Sequence, residues 1–223
     1  MPKISQAQKL RDILEDAIVE GRFPPGSRLD PAALEKEYQC SRTPIREAIQ
    51  QLAMSGMVQI LPKKGTFVKQ LSVTELSERF EVMAELEALC GRLAARRISE
   101  AELAALRAAH ERCREKAHAA DFNGYYYENS LFHQCIYDAS HNAFLIQEAA
   151  RLHSALQPYR RMQLQARNRL KTSFSEHEAI VEAISDHDED RASALLRGHV
   201  MIQGEQFNDL IATLQSLERE QTA

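Results

Sequence analysis

Two arginines stand four residues apart in the string SRTPIREAIQ, residues 41 to 50. At this spacing Arg42 and Arg46 share one face of a helix, and the apolar residues of the string lie on the opposite face. A guanidinium group can bind guanine O6 and N7 together, whereas the hydroxyls of Ser41 and Thr43 suit phosphate. The chemistry that this string can perform is DNA recognition. For two arginines taken alone, a solvated helix face is the alternative.

Two lysines that could contact the same DNA follow in VQILPKKGTFVKQL, residues 58 to 71. Strand-like runs on either side of PKKG predict a β-hairpin whose tip carries Lys63, Lys64 and Gly65, where it can lie along a groove or the DNA backbone. Residues 1 to 70 hold 11 Lys and Arg against 8 Asp and Glu, and residues 71 to 223 hold 17 against 24. The basic character is therefore local, although the net charge of the chain is −4.

Three of the eight histidines have the setting of metal ligands. His133, His177 and His199 fall in three separate helical patterns, each flanked by apolar residues that would turn it inward. Asn129 lies one helical turn before the first of them, on the same face. Imidazoles from three helices, together with an oxygen ligand, suit Zn²⁺ or a similar divalent ion. From spacing alone, three unrelated core or surface histidines remain the alternative.

The elements that must present the arginines are found in the first seventy residues. Helical periodicity predicts a first helix that ends at Gly21, and Asp30 with Pro31 starts a short second helix. The string around Arg42 starts a third helix, which closes near Gly56. Three helices with a tight turn before the third, followed by a hairpin, have the order of a winged helix-turn-helix.

The rest of the chain predicts the bundle that would hold the histidines. Apolar residues recur at helical spacing almost without a break from Thr74 to Leu217. About six helices of this length form an antiparallel α-helical bundle. We therefore predict a mainly α protein with a winged helix-turn-helix domain at residues 1–71 and an all-α domain at residues 72–223. The stretch from Leu71 to Thr74 is predicted to be the linker.

Composition argues against several other classes of protein. Hydrophobic residues make up 44% of the chain and charged residues 27%, which is too apolar for a disordered protein. No apolar run approaches the roughly 18 residues that span a bilayer, and the charged start does not resemble a signal peptide. The four cysteines include no Cys-x-x-Cys pair. We therefore expect no membrane partner and a cytoplasmic location.

These motifs resemble the GntR family of bacterial transcription regulators, in its FadR-like branch with an FCD-type ligand-binding domain. The likeness is carried by GRFPPGSRL, SRTPIREAIQQLAMSGMV and PKKGTFV, and by ELEALCGRLAA, ENSLFHQCIYDAS and SEHEAIVEAISDHDEDRASALLRGHV. It covers nearly the whole chain, and six helices in the second domain, where other members have seven, look like the VanR-type subgroup. The resemblance implies a homodimer on near-palindromic operator DNA, with contacts from Ser41, Arg42, Thr43, Arg46 and Gly65.

The resemblance also implies a metal ion and a small-molecule effector in a domain that dimerises. FCD domains hold a divalent ion with three histidines and an Asp or Asn one turn before the first, which match His133, His177, His199 and Asn129. We expect zinc, with nickel or manganese as alternatives, and weaker binding than in relatives that have Asp at position 129. The expected effector is an organic acid.

Two places depart from the family's pattern. The stretch Pro-Ala-Ala at residues 31 to 33 replaces a polar pair of many members, so a base contact from this stretch is lost. Met83 stands where relatives commonly carry an inward Arg that could hold a carboxylate. That role would pass to another cation, such as Arg79, Arg160 or Arg161. Simple core packing is the other interpretation of Met83.

We therefore predict a DNA-binding transcriptional regulator, a repressor released by a metabolite, and not an enzyme. The alternative is a metal-dependent hydrolase that uses the three histidines to activate water. Against it, no Glu or Asp stands in a motif such as His-Glu-x-x-His, and an enzyme would leave the basic hairpin unexplained. A helical interaction module without a DNA role is a third possibility.

Overall fold

The structure, a computed structural model, describes residues 5–164 and 169–201. The chain forms two compact units: one consists of the residues up to Ser72 together with Ser154–Pro158, and the other consists of Val73–His153 with the described residues from Tyr159 onward. Within the described ranges the chain is mainly α, with nine helices and one small antiparallel sheet. No helix in these ranges is long and apolar enough to cross a membrane.

Three helices of the N-terminal unit are those that the sequence predicts. They are α1 (Gln6–Val19), α2 (Pro31–Glu37) and α3 (Arg42–Met54). The side chain of Ser5 caps α1 by accepting a hydrogen bond from the backbone of Gln8, and that of Asp30 caps α2 by accepting one from Ala32. These caps satisfy N–H groups that a helix start leaves without partners, so the local sequence sets where both helices begin.

A three-stranded sheet closes the N-terminal unit. The predicted hairpin consists of β2 (Val58–Leu61) and β3 (Gly65–Val68), and β3 lies between β2 and a third strand. That strand, β1 (Arg28–Leu29), pairs Leu29 with Thr66. The sequence does not predict β1, because two residues carry no alternating pattern and their pairing is made with a distant part of the chain.

The apolar face of α3 is buried in the core of the N-terminal unit. Its buried residues are Pro44, Ile45, Ala48, Ile49 and Leu52. They pack with apolar residues of α1, among them Leu10, Leu14 and Ile18, which are also buried. Burial of these side chains fixes the rotation of α3, so its polar face must point to solvent.

Among the residues that the structure describes, six helices follow Ser72, the number that the sequence predicts. They are α4 (Val73–Arg97), α5 (Glu100–His118), α6 (Phe122–Ala139), α7 (Ala143–Leu164), α8 (Arg169–Ser185) and α9 (Glu189–Val200). Helix α4 begins inside the stretch that was predicted to be the linker, so the connection is shorter than expected. The helical pattern that continues from residue 202 to 217 lies outside the described residues.

A close contact between α4 and α9 positions one side of the bundle. Gly91 of α4 faces α9, and a Cβ atom at this position would collide with Leu196 Cδ1 and lie 3.3 Å from the carbonyl oxygen of Ala192. The absence of a side chain at Gly91 therefore lets the two helices approach closely. This contact helps to position the histidine site, because α4 and α9 both carry residues of that site.

Candidate functional site

Three helices bring His133, His177 and His199 together in the bundle. His133 comes from α6, His177 from α8 and His199 from α9, and all three are buried. The Nε2 atom of His199 lies 3.3 Å from Nε2 of His133 and 3.3 Å from Nε2 of His177. A tetrahedral zinc ion with bonds of about 2.0–2.1 Å would separate its ligand nitrogens by roughly 3.3 Å. The cluster can therefore hold a metal ion.

Two carboxylates orient two of the three imidazoles. Nδ1 of His133 lies 2.7 Å from Oε2 of Glu87, and Nδ1 of His199 lies 2.6 Å from Oε2 of Glu176. A carboxylate at Nδ1 keeps the proton on that nitrogen and leaves the lone pair of Nε2 directed into the cluster. Arg169 Nη1 donates to the same oxygen of Glu176 at 2.7 Å and so fixes the carboxylate in turn.

Sequence reasoning missed both carboxylates. Glu87 could have been found because it occupies a core position of α4, in line with the buried Met83 and Cys90, where an ionised side chain needs a partner. Glu176 directly precedes His177, but nothing in the sequence indicates that it contacts a histidine of another helix.

Burial keeps the three histidines neutral. It lowers the pKa of His133, and it lowers the pKa of His177 well below the ordinary value. Burial, with repulsion from His133 and Arg169, lowers the pKa of His199 to about 4. Neutral imidazoles need no deprotonation before they bind a cation, although Nε2 of His133 lies 3.3 Å from Arg160 Nη2, a contact that a bound cation would replace.

Glu87 is the centre of a buried polar network. Arg160 Nη1 and the hydroxyl of Tyr137 each donate a hydrogen bond of 2.8 Å to Oε1 of Glu87. Burial raises the pKa of Glu87, but the Nδ1–H of His133 and the charge of the Arg160 guanidinium stabilise the carboxylate and together hold that pKa well below its usual value. The carboxylate is therefore ionised, and it compensates the buried guanidinium.

A narrow pocket opens beside the histidines. It is lined by Phe80, Asn129, Arg160, Leu164, Arg169, Ser173, His199 and Val200. Asn129 is buried and lines the same pocket as His199. Two guanidinium groups in the lining give the pocket the chemistry to bind an anion.

Three other residues named as effector candidates lie outside this lining. Met83 is fully buried, and Arg79 is partly exposed. Arg161 is buried, donates a hydrogen bond to Asn123 and lies over the ring of Tyr126. Among Arg79, Arg160, Arg161 and Arg169, the two that line the pocket are Arg160 and Arg169.

The predicted DNA-reading residues form one exposed surface at the start of α3. Ser41 is the N-cap residue, and its side chain makes no capping hydrogen bond. Arg42, Thr43 and Arg46 are exposed, and the side chain of Arg42 is 76% exposed with Nε 3.9 Å from Glu35. An ion pair this long and exposed holds the guanidinium weakly, so it is available to another partner.

The hairpin tip is a tight turn that exposes both lysines. The backbone N–H of Lys64 donates to the carbonyl of Leu61 at 3.1 Å, and Lys63 has a φ of 62°. Gly65 follows with a φ of 116°, a conformation that side chains rarely adopt. The turn therefore places Lys63 and Lys64 in solvent beside a glycine that the backbone requires.

Comparisons with known proteins identify a family for each of the two parts of the chain. The family described as "Bacterial regulatory proteins, gntR family" matches residues 6–68, and the FCD domain family matches residues 78–201. The chain belongs to the GntR family and carries an FCD domain. This GntR regulator is a DNA-binding transcriptional regulator and not an enzyme, and its FCD domain binds a small-molecule effector. The predicted family, fold class and function are confirmed, the VanR-type subgroup stays a prediction, and the hydrolase alternative has no support.

Named relatives and solved structures cover nearly the whole GntR regulator. It is 29% identical over 196 residues to the "HTH-type transcriptional repressor GlaR" of Escherichia coli, covering 84% of this chain and 89% of that one. It is 26% identical over 195 residues to the "Nta operon transcriptional regulator" of Aminobacter aminovorans, covering 86% and 90%. The structure of E. coli McbR/YncC superposes with a TM-score of 0.78 at 22% identity, over 97% of this chain and 100% of that one, and therefore shares its fold.

Proposed function

We propose that this GntR regulator is a zinc-dependent homodimeric repressor whose operator binding is weakened by a small organic acid. Residues 1–71 bind the operator, and residues 72–223 bind metal and effector and form the dimer. The observation that carries the effector role is the convergence of three histidine Nε2 atoms beside a pocket with two guanidinium groups. Because its target is chromosomal DNA, the regulator acts in the cytoplasm.

The start of α3 is proposed to read bases in the major groove. Arg42 and Arg46 project from the exposed face and can each bind a guanine, while the hydroxyls of Ser41 and Thr43 bind phosphate. Gly65 and the two lysines of the hairpin tip contact the backbone beside the groove. Two copies related by a two-fold axis would place their α3 helices about one helical turn of DNA apart.

Arg46→Ala tests this placement. We expect operator affinity to fall by about 100-fold in the dimer, since each lost bidentate contact costs about 1–3 kcal/mol of discrimination. Affinity for unrelated DNA should change little. The matched control is Lys63→Ala, which should weaken binding to both DNAs equally and lower the slope of affinity against salt concentration. Fluorescence anisotropy over a salt series measures both, and an Arg46→Ala variant with intact specificity would contradict the proposal.

Zinc is the ion that the histidine cluster fits best. Three neutral imidazoles suit zinc, and nickel and manganese are the competing ions. His133, His177 and His199 would hold the ion, and Asn129 would add an oxygen donor without a negative charge. When bound, the ion supplies positive charge and open coordination positions for an anionic ligand. The other contacts to this anionic ligand would come from side chains of the protein.

Arg160 and Arg169 are proposed to anchor the carboxylate of the effector. Each already has a carboxylate partner, Glu87 for Arg160 and Glu176 for Arg169, so both guanidinium groups are held in place. Groups that are fixed before binding lose less entropy when the ligand arrives. Arg160 therefore takes the role that Met83 cannot perform. An effector of this kind weakens operator binding only if it binds one arrangement of the dimer better than the other.

His177→Ala tests the metal centre. The variant should retain less than a third of the zinc of the wild type by elemental analysis, and the matched control His118→Ala, an exposed histidine, should retain all of it. A thermal-shift screen of organic acids, run with zinc and with chelator, then identifies the effector class. Equal metal content in His177→Ala and wild type would refute the site, and acids that stabilise the chelated protein equally would refute the role of the ion.

A further inference from the structure

An arginine of the small sheet lies on the same face as the glycine of the hairpin tip. Strand β1 pairs Arg28 with Phe67 and Leu29 with Thr66. Side chains directly opposite each other in an antiparallel pair lie on the same face of a sheet, and successive residues alternate between the two faces. Leu29 and Thr66 are buried, so the other pair faces outward. Arg28 therefore shares the outer face with Phe67 and with Gly65, two residues before it.

The side chain of Arg28 extends over the backbone of Gly65. A Cβ atom added at Gly65 would lie 3.2 Å from Nε and 3.5 Å from Nη2 of Arg28. The guanidinium group therefore occupies the space that a side chain at position 65 would fill. Because Gly65 directly follows the two exposed lysines of the hairpin tip, Lys63 and Lys64, Arg28 adds a third cation at this end of the sheet.

The guanidinium group of Arg28 is exposed and has no partner among residues 5–164 and 169–201, the part of the chain that the structure describes. It forms neither an ion pair nor a hydrogen bond there. The carboxylate nearest in sequence, that of Asp30, accepts a hydrogen bond from the backbone of Ala32 instead. The N–H donors of Arg28 are therefore available to a ligand, and a guanidinium can bind two oxygens of one phosphate.

Another arginine of the same stretch, GRFPPGSRL at residues 21 to 29, has a different environment. Nη2 of Arg22 donates hydrogen bonds to Oε1 of Glu37 and, at 3.0 Å, to the hydroxyl of Tyr38. Arg22 thus has a carboxylate that compensates its charge, whereas Arg28 has none among the described residues. The two arginines are equal in type and both exposed, so Arg22 is a matched control for Arg28.

We propose that Arg28 is a further DNA-binding residue of this regulator, and that its guanidinium group binds a phosphate of the operator backbone beside the hairpin tip. This rests on the proposed placement of the tip along the DNA. A group that lies over Gly65 before binding loses less entropy when the phosphate arrives. Because a phosphate contact carries no sequence information directly, Arg28 adds affinity and positions the tip, and it does not select bases.

This placement gives Gly65 a second role. Its φ of 116° already disfavours any residue with a side chain. A Cβ atom would in addition crowd Nε of Arg28, so the guanidinium group would have to leave its place. We therefore expect a part of the effect of Gly65→Ala on DNA binding to act through Arg28.

Arg28→Ala tests the phosphate contact. The slope of log affinity against log salt concentration should become shallower by about 1.8 in the dimer, since each of two lost contacts contributes about 0.9. Affinity at fixed salt should fall at least about 10-fold, for operator and unrelated DNA alike. Arg28→Lys keeps the charge and should restore the slope, and Arg22→Ala should have the slope of the wild type. Fluorescence anisotropy over a salt series measures these values, and circular dichroism confirms that each variant is folded.

A double-mutant cycle tests the position of the guanidinium group over Gly65. Gly65→Ala is introduced into the wild type and into Arg28→Ala, so that the backbone strain at position 65 is present in both and cancels. The factor by which Gly65→Ala weakens operator binding should be about threefold smaller in the Arg28→Ala background. Equal factors in the two backgrounds overturn the placement over Gly65.

The outcomes separate Arg28 from the hairpin tip. If Arg28→Ala keeps the slope of the wild type while Lys63→Ala has a shallower one, the role of Arg28 is overturned and the placement of the tip stands. If neither variant changes the slope, both are overturned. A loss confined to operators with A·T-rich flanks would mean that the guanidinium group enters a narrow minor groove, which overturns the phosphate contact. A shallower slope that Arg28→Lys restores, together with a reduced effect of Gly65→Ala, supports the proposal.

Discussion

Replacing Glu87 with Gln removes the charge at the centre of the buried network and preserves its size. Glu87 has no exposed surface, and its carboxylate lies 2.8 Å from Arg160 Nη1. The variant would leave a buried guanidinium without a counter-charge. Breaking a buried ion pair in this way costs about 3–5 kcal/mol, so we expect the free energy of unfolding to fall by about 4 kcal/mol. For a chain of this length the melting temperature would fall by roughly 10 °C.

Urea unfolding followed by circular dichroism measures this loss. The protein is treated with chelator first, so that a change in metal binding does not add to the change in stability. The control is Glu182→Gln, because Glu182 forms an exposed ion pair with Arg191, and exposed pairs contribute little. Its unfolding midpoint should equal that of the wild type.

A double-mutant cycle with Arg160→Met identifies the cause of the loss. Removing both charges leaves no unpaired buried ion, so Glu87→Gln combined with Arg160→Met should cost less than the sum of the single changes. We expect a coupling energy on the order of 2 kcal/mol. A Glu87→Gln variant that loses less than about 1 kcal/mol, or single changes that add, would refute the claim that Glu87 compensates Arg160.

Three further predictions concern the metal centre and the contact of α4 with α9. Glu176→Gln should lower zinc affinity about 10- to 100-fold in chelator competition, since it weakens the partner that orients His199, whereas Glu182→Gln should retain full affinity. Zinc affinity of the wild type should change less than about threefold from pH 7.5 to 6, because a lowered pKa keeps an imidazole neutral until the pH falls towards that pKa. A site of three histidines with ordinary pKa values would lose about 50-fold in affinity over the same range. A steep fall in affinity would therefore contradict the lowered pKa values. Gly91→Ala should lower the free energy of unfolding by about 1–3 kcal/mol through collision with Leu196, and an unchanged urea midpoint would show that α4 and α9 separate freely.

Much of the fold follows from local signals in the sequence. Asp30 and Pro31 mark the start of α2, and periodic apolar residues mark the described helices, because capping and amphipathicity depend on residues within a few positions of one another. The signal that predicts the hairpin also lies within a few neighbouring residues. Strand β1 has no such local signal, since its two residues become a strand only by pairing with β3.

The candidate site divides in the same way. The sequence by itself determined which residue types were present: the exposed arginines at the start of α3, the hairpin lysines and three histidines at core positions of separate helices. Each of these rests on periodicity within one element. Of the three cations that the sequence offered in place of an Arg at position 83, namely Arg79, Arg160 and Arg161, Arg160 lines the pocket, and Arg169 lines it too although no signal in the sequence indicated it.

Only the tertiary structure decided how the histidines are oriented and what lies beside them. Glu87 is 46 residues from His133 in the sequence and Glu176 is 23 residues from His199, yet each carboxylate lies against the Nδ1 atom of its histidine. Such contacts depend on the rotation and approach of packed helices, including the close approach at Gly91. These quantities are set by the shapes of whole faces in contact, and no short stretch of sequence contains them.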